Sequence, residues 1–298
     1  DVVIHLGDVY YCGSPKEVRN KFLRPIRKVV EQEKADNAVF YSIPGNHDYY
    51  SGGEGFYDML RKKKLPNSPQ EASFFALKNK DWMVIALDTA VEDTRPSRSI
   101  TGVNMLEIEK QQYEWLKDKL KEARQNSQGV ILISHHQFLT INFHIGKVDG
   151  KFSGVNAKLH KQLKDDFDLI NAWFWGHEHR FVIFKNHPSS GLKRGRLIGH
   201  GAIPVSFGNG TDEYAINKDL EDVEGLKVPE AEPIRVGHDG YIYYCGFAVL
   251  TMNGKNCQAD YYQQKTQPPK YKKWPAVGDP IFTEQIGKGA EQQFNSTS

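Results

Sequence analysis

Cysteine is scarce: three residues in a chain of 298. Cys12, Cys245 and Cys257 cannot build a disulfide framework, and they lack the C-x-x-C spacing of a zinc cluster. So few cysteines fit a cytosolic setting. An excess of one charge is also lacking. Lys and Arg number 39 against 37 Asp and Glu, a net +2, so no global field marks a nucleic-acid or membrane-surface protein. No apolar run approaches the roughly 20 residues of a membrane-spanning helix, and the mean hydropathy of −0.59 is that of a globular chain. Disorder is excluded from the other side. Aromatic residues at 12% and 26 glycines point to a strand-rich core with many tight turns. The length allows two average domains or one large two-layer α/β fold. Composition names no function.

The order of elements says more. Asp1–Leu6 reads as a short buried strand ended by Gly7-Asp8. Ser14-Pro15-Lys16-Glu17 is a helix start with a capping box, and Val18, Phe22, Ile26, Val29 and Val30 carry the helical spacing on to about Lys34. Residues 38–43 form a second strand before Pro44-Gly45, completing a βαβ pattern of parallel type. Paired strands are expected at 72–77 and 82–87, a helix at 105–124, and buried strands at 130–134, 168–175 and 196–198. A hairpin turns at Asn253-Gly254 between strands 243–252 and 257–262. Residues 205–242 read as an inserted loop, and 264–298 as a polar, loosely packed tail after a domain spanning 1–263.

Four polar clusters each follow directly on a predicted buried strand: Gly7-Asp8, Gly45-Asn46-His47-Asp48, Ser134-His135-His136 and Gly176-His177-Glu178-His179. In open α/β sheets the carboxyl ends of strands converge on one crevice. Asp, Asn and several neutral imidazoles make a mixed N/O donor set suited to Mn, Fe or Zn rather than Ca. Six or more such donors exceed the need of one tetrahedral ion. Two ions roughly 3.5–4 Å apart, bridged by a carboxylate and by the hydroxide that attacks, would use them.

These blocks resemble the calcineurin-like metallophosphoesterase superfamily, whose ordered signature is Asp-x-His/Gly, Gly-Asp, Gly-Asn-His-Asp/Glu, His, then Gly-His-x-His. The resemblance covers roughly residues 1–263 and implies an α/β fold, a two-sheet α/β/β/α sandwich. It implies that Asp8 bridges two metal ions, that Asn46, His135 and His177 complete one ligand set, and that His179 serves the other. His135 is chosen over His136 because the family ligand is the first residue of its turn. The resemblance gives His47 the task of protonating the leaving alkoxide and Asp48 that of orienting it. His136 and His200 become candidate substrate contacts. Tyr11, three residues after Asp8, and His144, nine after His135, stand at spacings similar to purple acid phosphatases. There the tyrosine is a phenolate ligand to Fe(III) and the histidine a second acid at the phosphate. Tyr11 can equally be a packing aromatic beside Tyr10, and His144 a surface-loop residue. The implied cofactors are two transition-metal ions, Fe with Zn or Mn, or a Mn or Zn pair.

The first signature block has no counterpart, so the reading expects the chain to be shortened at its N-terminus, with the first strand missing. The expected function is metal-dependent hydrolysis of a phosphate ester, monoester or diester, acting on a small substrate. A non-catalytic scaffold of the same fold, or a nuclease, are the rivals. Near-neutral charge speaks against nucleic acid, and the basic patches Arg61–Lys64 and Lys270–Lys273 read as solvated faces.

Overall fold

A computed structural model describes residues 1–91, 108–140, 145–148, 151–187, 189–201, 225–226, 233–236, 240–243, 245–264 and 278–287. Strands β1 (Val2–His5) and β2 (Val39–Ser42) pair in parallel, Val2 opposite Val39 and His5 opposite Ser42. The connection is helical, as the capping box predicts. Ser14 Oγ accepts from the Glu17 N–H at 3.3 Å, and the Glu17 carboxylate accepts from Ser14 N. The helix is not uniform, however. α1 (Pro15–Glu17) runs into a π-helical stretch, Val18–Leu23, before α2 (Arg24–Gln32). After β2 come α3 (Asn46–Tyr49) and α4 (Glu54–Arg61).

The hairpin β3 (Phe75–Lys78) and β4 (Trp82–Leu87) opens the main sheet. α5 (Lys110–Gln125) starts later than the periodicity suggests, at a cap where the Glu109 carboxylate accepts from the N–H groups of Gln111 and Gln112. β5 (Gly129–Ser134), the small hairpin β6 (Gly146–Val148) and β7 (Lys151–Ser153), α6 (Ala157–Leu163) and β8 (Ile170–Trp175) follow. β9 (Phe181–Phe184), a short apolar strand that the sequence reading passes over, returns antiparallel beside β10 (Gly195–Ile198). With β11 (Gly225–Leu226) the seven strands lie in the order β11-β9-β10-β8-β5-β4-β3. β4, β5, β8 and β10 are mutually parallel, so their carboxyl ends share one rim.

Some of 205–242, read as a loop, is therefore strand: β11 pairs with β9, and β12 (Pro233–Val236) pairs with β13 (Gly240–Tyr243). The rest of that segment lies outside the described residues. The predicted C-terminal hairpin is present as β14 (Gly246–Asn253) and β15 (Asn256–Gln263). The tail reading fails at β16 (Phe282–Ile286), which pairs with β15 as a third strand.

Two apolar layers hold these elements. On one face of the main sheet Leu116, Leu120 and Ala123 of α5 and Leu159 and Leu163 of α6 pack on Met83, Ile85, Leu132 and Trp173. On the other, Val84, Ile131, Ala172 and Phe174 meet Cys257, Ala259, Tyr261 and Ile286, with Ile4 and Leu6 at the margin. A third cluster sets Phe22, Leu23, Phe56 and Met59 against Tyr10 and Phe40 of the β1–β2 side. The architecture is an α/β/β/α sandwich, the second β layer made of two pieces, β1–β2 and β14–β15–β16. Among the described residues no helix is long and apolar enough to cross a membrane.

The two sheets are also clasped by charge. Arg196 of β10, fully buried, forks onto Glu284 of β16 with Nε to Oε1 at 2.5 Å and Nη2 to Oε2 at 2.6 Å, and Tyr261 Oη donates to Glu284 Oε1 at 2.6 Å. Polar composition misleads about this strand because the charge is spent inward. Removing one partner leaves the other charge buried and unpaired, so Glu284→Ala is expected to cost about 3–5 kcal/mol in denaturant unfolding at pH 7. Burial works to raise the Glu284 carboxyl, but Arg196 beside it holds it below its ordinary value of 4.5. The stabilisation is therefore complete above that value and is lost as pH falls through the lower, folded-state value. The gap between wild type and variant narrows in acid; a gap independent of pH there would contradict the assignment.

Candidate metal centre

The polar clusters of four strand ends do meet. Gly7-Asp8 leaves β1, Gly45-Asn46-His47-Asp48 leaves β2, His135-His136 leaves β5 and Gly176–His179 leaves β8. The first two loops cross closely enough that side chains are forbidden at their glycines. A Cβ on Gly45 would lie 2.2 Å from Asp8 Oδ1, and one on Gly7, whose φ is +92°, would lie 2.3 Å from Gly45 N. The same loops hold each other by reciprocal hydrogen bonds. Asp8 Oδ1 accepts from the backbone N–H of His47 at 2.9 Å, while Asp48 Oδ2 accepts from Gly45 N at 2.8 Å and from Asp8 N at 3.3 Å. Tyr10 Oη donates to the remaining Asp48 oxygen.

Around His135 the donor atoms converge. Its Nδ1 lies 2.6 Å from the Leu6 carbonyl oxygen, and only an N–H can face a carbonyl, so Nδ1 is the donor there. Nε2 then faces Asp8 Oδ2 at 2.9 Å, Asn46 Oδ1 at 3.2 Å and His177 Nδ1 at 3.2 Å. Asn46 is oriented by Tyr50, whose Oη lies 2.8 Å from Asn46 Nδ2. With the ring proton on Nδ1, Nε2 meets three other lone-pair atoms, and a cation in the midst of the four would accept a lone pair from each. His136 belongs to the same group. Ligand atoms of His135, His136 and His177 all lie within 4.8 Å of one another, and Thr89 Oγ1 lies 3.1 Å from His136 Nδ1. Asp8, His135, His177 and His179 line one cavity of about 220 Å³. The donor set thus fits the transition metals that the sequence suggests.

Backbone strain gathers here too. Asp8 (φ 62°), His177 (φ 65°) and His179 (φ 24°) occupy the left-handed side that non-glycine residues rarely adopt. The electrostatics match a site built for positive charge. Burial works to raise the Asp8 carboxyl, but the adjoining His135 holds it well below the usual carboxylate range. Burial, together with His136 and His135, pushes the His177 imidazole well below its ordinary value, which keeps it neutral and able to donate a lone pair.

The remaining candidates divide. Asp48 does not reach the His47 ring. It is buried, holding Tyr10 and two backbone N–H groups, and burial raises its carboxyl to about 6. His47 is oriented by the Tyr11 carbonyl oxygen, 2.6 Å from Nδ1. The structure does not bring Tyr11 among the converging side chains. The residue is 66% exposed, and its ring packs on His47 and Tyr50, with centroids 5.4 and 6.2 Å away. His200 is buried against Phe181, at 4.9 Å between centroids, and does not line the cavity. His144 lies outside the described residues. Sequence reasoning missed Tyr10, Tyr50 and Thr89, and set His136 apart from the ligand group. None of these carries a motif of its own, and adjacency to His135 is the one available signal.

Comparison with known proteins bears on the fold and the family. The family model described as calcineurin-like phosphoesterase matches residues 1–181. A purple acid phosphatase from yellow lupin (Lupinus luteus) seeds superposes with a TM-score of 0.51 at 15% identity, over 96% of this chain and 46% of that one. The chain thus spans about half the length of that phosphatase. A dimetal phosphatase from Danio rerio gives a TM-score of 0.48 at 12% identity, covering 96% of this chain and 83% of that one. No curated protein sequence matches. With well over half of its length matched by the family model, the chain belongs to the calcineurin-like phosphoesterase family.

Proposed function

We propose that the protein hydrolyses phosphate esters at a dinuclear transition-metal centre held by Asp8, Asn46, His135, His177 and His179, with His136 adjoining. The observation that supports this is the convergence of Asp8, Asn46 and His177 on His135 Nε2 within 3.2 Å, in a chain of this family. When bound, the ions supply the positive charge that neutralises a phosphoryl group and acidifies water. Without a phenolate among the converging donors, the set suits Mn, Fe or Zn and does not single out Fe(III).

The chain's own residues do the rest. His135 is locked in one tautomer by the Leu6 carbonyl, which keeps Nε2 aimed at its neighbours. His47 is the one half-buried histidine of its loop, and its Nδ1–H donates to the Tyr11 carbonyl. Nε2 is therefore the atom left to hold or deliver a proton, as protonation of a leaving alkoxide requires. Asp48 acts at one remove. By accepting from the backbone of Asp8 and Gly45 it sets where the loops carrying Asp8, Asn46 and His47 lie.

Release of p-nitrophenolate from p-nitrophenyl phosphate and bis(p-nitrophenyl) phosphate, with Mn, Zn or Fe supplied, tests the reading. Turnover of at least one ester that a chelator abolishes is expected, and no turnover with any metal would overturn it. His47→Ala is expected to lower kcat by about 10²–10⁴-fold with the metal content by elemental analysis unchanged. His135→Ala should lose metal and turnover together. Asp48→Ala leaves three donors without their acceptor, so a stability loss of about 3 kcal/mol or more is expected alongside weaker metal binding. Unaltered unfolding and metal affinity in that variant would remove Asp48 from its positioning role.

A further inference from the structure

Resting on the metal centre proposed above, we infer that Thr89 is a positioning residue that fixes the His136 ring proton on Nε2. His136 is then a hydrogen-bond donor beside the metals and not a ligand to them. Strand register brings the two residues together. β4 and β5 are parallel with Leu87 opposite Ser134, so two residues further on Thr89 faces His136. Thr89 does not stand on a loose loop. The Gln112 side chain of α5 accepts from Asp88 N at 2.8 Å and donates to the Asp88 carbonyl at 2.7 Å. The Asp88 carboxylate accepts from Ala90 N at 3.0 Å and from Tyr49 Oη at 2.5 Å. Tyr49 belongs to α3, the helix that opens with Asn46. The carboxyl end of β4 is thereby braced against the segment carrying Asn46 and His47.

The proton positions follow because the contact is closed to solvent, with Thr89 0% and His136 3% exposed. Two groups meet the Thr89 hydroxyl oxygen, His136 N and His136 Nδ1, each at 3.1 Å. The backbone N–H only donates, so it takes one lone pair of that oxygen. Among the described residues Thr89 Oγ1 has no third partner. If Nδ1 also carried a hydrogen, the hydroxyl would accept twice and its own hydrogen would be left buried and unbonded, which costs a full hydrogen bond. The hydroxyl therefore donates to Nδ1, and the proton of the neutral ring sits on Nε2. The backbone is fixed as well. The His136 carbonyl accepts from Ser134 Oγ at 2.8 Å, and that oxygen accepts from Trp173 Nε1 at 2.9 Å.

His135, one residue earlier, has the opposite arrangement. The Leu6 carbonyl takes its Nδ1–H and leaves Nε2 a lone pair, whereas the Thr89 hydroxyl occupies the Nδ1 lone pair of His136. Neither nitrogen of His136 then has a lone pair for a cation. This holds although its ring stands 4.5 Å from that of His177 and 4.9 Å from that of His135 between centroids. Proximity makes the three histidines one group, and proton placement divides them into two ligands, His135 and His177, and a donor. Whatever meets His136 Nε2 must be an acceptor, an oxygen and not a metal ion. The group facing Nδ1 sets which nitrogen of a histidine is left to act, and here two neighbours in sequence face different groups.

Long-range ¹H–¹⁵N NMR spectra of the histidines in zinc-loaded protein, beside Thr89→Val, Thr89→Ser and His136→Gln, test the proposal. Wild type and Thr89→Ser are expected to show His136 protonated at Nε2, with zinc on neither nitrogen. In Thr89→Val the Nδ1–H form of His136 should gain about tenfold in population, the worth of one buried hydrogen bond. By elemental analysis His136→Gln should keep as many zinc ions per chain as wild type. A wild-type His136 with its proton on Nδ1 or with zinc bound would overturn the inference, as would an unchanged Thr89→Val spectrum or the loss of an ion in His136→Gln. The proton position is legible in zinc-free protein too. A chain that binds no zinc would therefore count against the proposed metal centre, while the tautomer of His136 would still decide the role of Thr89.

Discussion

The reciprocal clasp between Asp8 and Asp48 is the constraint on which the site depends. Each carboxylate takes a backbone N–H from the other's loop, Asp8 from His47 and Asp48 from Asp8 itself. Two loops of left-handed and glycine-rich backbone would otherwise be held only by their strands. Crossing them with glycines in contact and aspartates interlocked puts the Asp8 carboxylate and the Asn46 amide oxygen within 3.2 Å of the same His135 nitrogen, with His47 beside them in the loop. The backbone strain at Asp8 persists because several bonds over-determine it, as strained functional residues generally require.

The sandwich supplies the frame. β5 and β8 are central, buried on both faces, and carry near-continuous apolar runs, the signature of parallel strands covered on each side. Their ends cannot shift without displacing Trp173, Phe174 and Trp175 from the two cores. That rigidity reaches His135 and His177 directly. The Arg196–Glu284 pair then ties the C-terminal sheet to β10, whose end borders the same cavity through Ile198 and Gly199.

Much of the fold was legible because local rules suffice for it. Alternation, capping boxes and the Asn-Gly turn act over a few residues, and they mark β1, α1, β2, β4, β5, β8 and the β14–β15 hairpin. The misses have separate causes. β16 is polar in composition, yet Glu284 points inward to a partner 88 residues away, and no local pattern reports that distance. β9 is too brief a run to stand out after the His-x-His loop. The π-helical stretch keeps an apolar spacing close to that of an α-helix, so periodicity runs through it unbroken.

For the site, residue type and order determined the donor chemistry: Asp, Asn and His at four strand ends, in a sequence the family model matches. Those choices are local, since a turn after a buried strand exposes whatever residues occupy it. Tertiary structure decided the placements. It set His136 beside His135 and His177, turned Asp48 away from His47 toward Tyr10 and the backbone, left the Tyr11 ring at the surface and buried His200 on Phe181. Each of these rests on contacts between chain segments remote in sequence, which only the packing of the layers brings within hydrogen-bond reach.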